Sequence, residues 1–92
     1  MQNTNQTIDK TKNYADTLRL HEKMMNMGYT IPKLAKAAGI AVSTLRSKMN
    51  GRGHFDIVEQ TQLSRVLQMT KQENYEIFTL PYEQLFNFIY EK

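Results

Sequence analysis

Residues 31–50 read IPKLAKAAGIAVSTLRSKMN, and this stretch decides the fold. Ile31, Leu34, Ala35 and Ala38 fall at i, i+3, i+4 and i+7, the spacing of one helical face. Thr30 stands just ahead of them as a candidate N-cap. Pro32 lies in the first turn, where its missing N–H costs little. Gly39 closes this short helix. Ala41 takes the next cap position, and a second helix is expected from Val42 to Asn50, with Val42, Leu45 and Met49 as its apolar stripe. Ala35 is small where the two helices cross, and Gly39 supplies a turn conformation that a Cβ would resist. Leu34, Ala38, Ile40 and Leu45 fill the wedge. The second helix is thereby held rigidly with its far face bare, and such a helix fits a DNA major groove about 12 Å wide.

Working outward, residues 1–13 are polar and read as a flexible N-terminal arm. Tyr14, Leu18 and Met25 begin a helical pattern that runs to about Met27 and stops at Gly28. Beyond the quoted stretch, Asn50-Gly51-Arg52-Gly53 is a stop signal. Asp56 with Glu59 reads as a capping box opening a helix to about Gln68, with Ile57, Leu63 and Leu67 facing inward. Thr70 with Glu73 repeats the device for a fifth helix, which Pro81 is expected to break near Leu80. Residues 82–92, YEQLFNFIYEK, carry a helical stripe (Tyr82, Leu85, Phe86, Ile89) and a strand-like alternation (Phe86, Phe88, Tyr90); helix is the preferred reading. The fold class is therefore all-α: a compact five- to six-helix bundle containing a helix-turn-helix, with the arm at 1–13, the helical domain at 14–80 and an aromatic segment at 81–92.

The net charge of +3 over 92 residues is unevenly spread. Residues 1–54 carry nine Lys and Arg against three acids, a balance of +6; residues 55–92 balance at −3. A basic part and an acidic part suggest that a polyanion faces the first. There is no cysteine, which excludes disulfides and thiolate metal sites and fits a reducing, cytoplasmic setting. No apolar run approaches the roughly 20 residues of a membrane span. His21 and His54 are isolated, with no acid at ligand spacing, so they are expected to be surface or helix-packing residues. The six methionines are expected mostly in the core. No Ser–His–acid or paired-carboxylate arrangement is visible, and Gly51 and Gly53 follow a helix where a phosphate-binding glycine loop would follow a strand. Neither catalysis, nor a cofactor, nor a small-molecule substrate is expected.

Leu34-Ala35, Gly39-Ile40, Ser43-Thr44-Leu45, Asn50-Gly51, and Phe55 with Glu59 beyond resemble the repressor and Cro family of phage-type helix-turn-helix regulators. Leu67 through Glu76-Ile77-Phe78 is similar to small regulators of Gram-positive prophages. The resemblance covers roughly residues 14–80 and implies a lambda-repressor-like bundle, dimeric operator binding and a role in transcription control. The chain departs from the family pattern at Ala41, where Ser or Thr usually caps; at Ile31, where a Gln often clamps the DNA backbone; and at Lys48, where an apolar residue is common and Met49 takes the inward role. Met24 and Met49 stand where the family often pairs an Arg with a Glu, so a packing contact between them is expected.

At 100° per residue, Leu45 and Met49 set the buried direction of the second helix. Ser47 then lies roughly opposite it, with Ser43, Asn50 and Arg46 on one side and Thr44 on the other flank. The expected DNA-binding residues are Val42, Ser43, Thr44, Arg46, Ser47 and Asn50 on this helix, with Lys33, Lys48 and Arg52 as further contacts. Arg46 is a candidate for guanine and Val42 for a thymine methyl, while Lys33 and Arg52 suit phosphate. The expected partners are operator DNA and a second copy of the chain joined through residues 82–92. The alternative is a protein-interaction module, antirepressor- or antitoxin-like, which the apolar Val42 and the uncapped Ala41 favour.

Overall fold

A computed structural model describes residues 9–90 of the chain; the side chains of Ile89 and Tyr90 are outside that description, as are Met1 and the rest of the first eight residues of the expected arm. The described chain is all-α. Its elements are α1 (Thr17–Asn26), α2 (Ile31–Ala38), α3 (Val42–Met49), α4 (Ile57–Val66), α5 (Lys71–Asn74), a π-helical turn (Tyr75–Thr79) and α6 (Leu80–Tyr90). Local sequence explains where they begin. The Asp16 carboxylate accepts from Arg19 N–H to start α1, and the Thr30 hydroxyl accepts from Lys33 N–H to start α2. Reciprocal capping boxes, Asp56 with Glu59 and Thr70 with Glu73, open α4 and α5. The Thr70 backbone N–H, and then the Lys23 ammonium, hold the Glu73 carboxyl below its ordinary range.

The first four helices end alike. A residue at the C-cap (Gly39) or just after it (Gly28, Gly51, Gln68) turns left-handed and returns its N–H, with that of its successor, to the last carbonyls. Gly39 and Ile40 bond to Lys36 and Ala35 at 3.3 and 2.9 Å, and Gln68 and Met69 bond to Arg65 and Ser64 at 3.3 and 2.9 Å. Three of these positions are glycine, and the fourth is Gln68 at φ 52°.

One core runs through the molecule: Leu20 and Met24 of α1, Leu34, Ala35 and Ala38 of α2, Leu45 and Met49 of α3, Phe55, Leu63, Leu67, Ile77 and Phe78. Met24 and Met49 are both members of it, at 6% and 2% exposure. Met27 and Met69 pack against it, while Met25 is 65% exposed.

Four expectations are corrected. The first helix starts at Thr17, not near Tyr14, and Leu18 is 70% exposed because Leu20 and Met24 define the inward face. Ile57 is 72% exposed: it lies about 100° around α4 from the direction shared by Leu63 and Leu67. Val42 is 39% exposed and does not join the inward stripe of α3. Pro81 does not break the helix. The π turn widens the ladder just before it, and the Ile77 carbonyl, which an N–H at position 81 would serve in an α-helix, accepts from Asp16 N–H at 2.9 Å. The chain therefore stays helical from Lys71 to Tyr90, and residues 82–90 are helix.

Gln68→Gly should stabilise the protein by about 1 kcal/mol, raising Tm by roughly 4–8 °C, because it relieves a left-handed residue that has a Cβ. Gly39→Ala, at φ 71° with open space around the added carbon, should cost about 1–2 kcal/mol from backbone strain alone. Thermal unfolding of the two variants checks both; equal and unchanged midpoints would refute the account of these helix ends.

Candidate nucleic-acid interface

α2 and α3 are joined by Gly39, Ile40 and Ala41. Ala35 and Ala38 are buried at 0% and 2%, so the helices approach without bulky side chains between them. Leu45 at 0% and Met49 at 2% anchor α3 from below. The opposite side of α3 is open: Ser43, Arg46, Ser47 and Asn50 are exposed, and Val42 stands at its edge. Thr44 is half-buried and borders a shallow crevice shared with Ile40, Asp56 and Glu59. Ala41 provides no side-chain acceptor for the first N–H groups of α3, so that end of the helix has no side-chain cap.

Charge separates along the sequence more sharply than the halves suggest. Between Glu22 and Asp56 there is no acid, and six Lys and Arg lie there. Two of the six are neutralised internally: Lys23 pairs with Glu73 at 3.0 Å and Lys48 with Glu59 at 2.6 Å. Lys33, Lys36, Arg46 and Arg52 are exposed and make no ion pair among the described residues. They belong to α2, α3 and the loop that follows α3. Glu73 and Glu76 are engaged by Lys23 and Arg19. Lys36, three residues after Lys33 on the same helix, is missing from the set read off the sequence; its spacing and exposure are the signal that identifies it.

Lys48 stands apart from the other cations of that set. Its side chain is 18% exposed and both Glu59 oxygens accept from its ammonium, at 2.6 and 2.8 Å, so its charge is committed inside the fold. The pair ties α3 to the capping box of α4, since the same Glu59 carboxylate accepts from Asp56 N–H at 2.9 Å.

Residues 11–14, assigned to the free arm or to the first helix, are a strap across the loop after α3. Asn13, 5% exposed, donates from Nδ2 to the Lys48 carbonyl at 3.0 Å, and its N–H bonds to the Gly51 carbonyl at 2.8 Å. Gly53 N–H bonds to the Thr11 carbonyl at 2.9 Å, and Lys12 bridges to Arg52. His54 donates from Nε2 to the Lys12 carbonyl at 2.8 Å, the Nε2 of His21 lies 3.3 Å from the Met49 carbonyl, and Tyr14 N–H donates to the Tyr82 hydroxyl at 3.1 Å. Both histidines thus act as packing residues, and no cluster of His, Asp and Glu suited to a metal occurs among the described residues. The strap fixes the end of α3 and the position of Arg52. No described helix is long and apolar enough to cross a membrane.

In comparisons with protein-family models, curated proteins and solved structures, nothing matched the chain.

A double-mutant cycle across Lys48 and Glu59 should give a coupling of at least about 1 kcal/mol, because both groups are largely withdrawn from water. The same cycle across the more exposed Arg19 and Glu76 should give less than about 1 kcal/mol. Equal couplings in urea unfolding would show that Lys48 is in effect a solvated charge.

Proposed function

We propose that the chain is a sequence-specific double-stranded DNA-binding regulator of the repressor and Cro type, in which α2 and α3 form a helix-turn-helix and α3 reads the major groove. One observation carries the reading. Four exposed cations, Lys33, Lys36, Arg46 and Arg52, flank an exposed row of short polar side chains in a stretch without acids. Short side chains let the helix approach base edges, Arg46 supplies reach to a guanine, and the remaining cations suit phosphates. The uncapped start of α3 adds N–H donors of the kind that meet phosphate oxygens. The prophage origin rests on the resemblance of Leu34-Ala35, Gly39-Ile40 and Asn50-Gly51 to that family.

A mobility shift on duplex DNA at rising salt tests the reading. The slope of log affinity against log salt should be steep, about −0.9 for each phosphate neutralised. Arg52→Ala should weaken all sequences alike and reduce the slope by about one unit. Arg46→Ala should cost about 1–3 kcal/mol on a selected operator and relax preference at one base pair. If Arg46→Ala and Ser47→Ala both leave affinity for that operator unchanged, α3 is not the reading helix and the protein-interaction reading replaces this one.

The working unit of the proposal is a homodimer closed through α6, which would set two α3 helices about 34 Å apart on one face of DNA. Its support is Phe88, 54% exposed on a helix that ends the described chain. Phe88→Glu should convert the dimer to monomer in sedimentation while leaving helix content intact. Ile57 and Val58, exposed at 72% and 66%, are the competing apolar surface. A dimer that survives Phe88→Glu and is lost in Ile57→Glu would move the interface to α4.

A further inference from the structure

Between the strap, the loop after α3 and the terminal helix lies a cavity of about 640 Å³. Its size falls within the roughly 300–1,000 Å³ of small-molecule sites. Its floor is Phe55 and Phe78, packed edge to face with centroids 5.4 Å apart. Tyr82, His54 and Phe86 form its walls, Tyr82 standing edge-on to His54 at 6.2 Å. Among its lining residues Glu83 is the single carboxylate, and there is no lysine or arginine. The Tyr75 hydroxyl donates to Glu83 Oε1 at 2.6 Å, and the carboxylate in turn holds the Tyr75 phenol above its ordinary range. The charge at the rim is therefore negative. From Gln72 to Glu91 the chain contains four glutamates and no base, so no cation on α6 offsets it.

Aromatic faces and one carboxylate select a particular chemistry. Ring faces attract cations and apolar rings, and a carboxylate adds a second preference for positive charge. Phe78 also belongs to the π turn, a distortion of the helix that frequently marks functional sites. We propose that this cavity binds a lipophilic aromatic cation and that its occupancy is transmitted to the loop that ends α3.

The route of transmission is continuous. The wall residue Tyr82 accepts the Tyr14 N–H, and the wall residue His54 holds the Lys12 carbonyl. Between Lys12 and Tyr14, Asn13 holds the carbonyls of Lys48 and Gly51, and Thr11 holds Gly53. A ligand that shifts either wall shifts the strap, and with it the end of α3 and Arg52. The binding half of this inference stands without DNA; the regulatory half rests on the DNA-binding reading.

The test uses tetraphenylphosphonium as the cationic probe and tetraphenylborate as its anionic counterpart of nearly the same shape, added to the full chain without DNA and followed by residue-resolved NMR. The phosphonium should bind saturably, with a dissociation constant below about 1 mM. It should move the amides of Phe55, Phe78, Tyr82 and Glu83, and those of Gly51 and Gly53 with them. The borate should not move the cavity amides. Glu83→Gln, an exposed substitution that leaves the core untouched, should weaken phosphonium binding about threefold or more. Absent saturable binding, equal action of the borate at the cavity, or an unchanged affinity in Glu83→Gln overturns the site. Cavity amides that move while Gly51 and Gly53 stay still overturn the transmission. A mobility shift with and without the phosphonium, against tetraethylammonium at equal concentration, then reads the effect on duplex binding. A chain that binds the phosphonium but no duplex retains the site and loses the DNA reading; one that binds duplex but no phosphonium does the reverse.

Discussion

Pro81 has no N–H to give, and the Ile77 carbonyl left without it is taken by the backbone N–H of Asp16 at 2.9 Å. A buried carbonyl without a partner would cost the helix free energy comparable to a lost hydrogen bond. Here that need joins the two ends of the described chain. Because Asp16 is also the N-cap of α1, the same residue starts the first helix with its side chain and completes the last one with its backbone. With α1 placed this way, the residues just before it are led across the loop after α3. The strap, the fixed end of α3 and the aromatic cavity beneath Tyr82 all depend on this placement.

The parts of the fold that sequence makes legible are those whose partners lie within a few residues. Thr30, Asp56 with Glu59, and Thr70 with Glu73 act on N–H groups three positions away, so their spacing suffices to locate three helix starts. Gly28, Gly39 and Gly51 mark three helix ends for the same reason. The open face of α3 was equally accessible, since Leu45 and Met49 fix its buried direction by angle alone. Pro81 misleads because its compensation comes from the other end of the chain. A local rule registers the missing donor and the ring clash, but not a distant N–H or a π turn able to absorb them.

The same limit applies at the candidate site. Lys48 is indistinguishable from Arg46 by residue type, and only the position of Glu59 on the next helix separates a committed charge from a free one. Asn13 sits in a polar run that resembles a solvated arm, yet it is buried because it bonds the Gly51 carbonyl and adds a bond to the Lys48 carbonyl at the end of α3, while the Thr11 carbonyl accepts from Gly53 N–H. Polar composition reports that a segment cannot form a core; it does not report that a core's edge needs its hydrogen bonds.

Charge in this chain is organised by cancellation. Arg19, Lys23 and Lys48 meet Glu76, Glu73 and Glu59, and each pairing joins two different elements: α1 to the π turn, α1 to α5, α3 to α4. The exposed pair of Arg19 and Glu76 adds little stability, and the more buried Lys48 and Glu59 add more. The larger effect of the pairings is to decide which charges remain. After the pairings, the exposed cations without ion pairs lie on α2, α3 and the loop behind it, and the glutamate lining the aromatic cavity stands without a base on its own helix. The ion pairs therefore act by subtraction: they leave Lys33, Lys36, Arg46 and Arg52 as exposed cations outside these pairings, and Glu83 as the single carboxylate at the aromatic cavity.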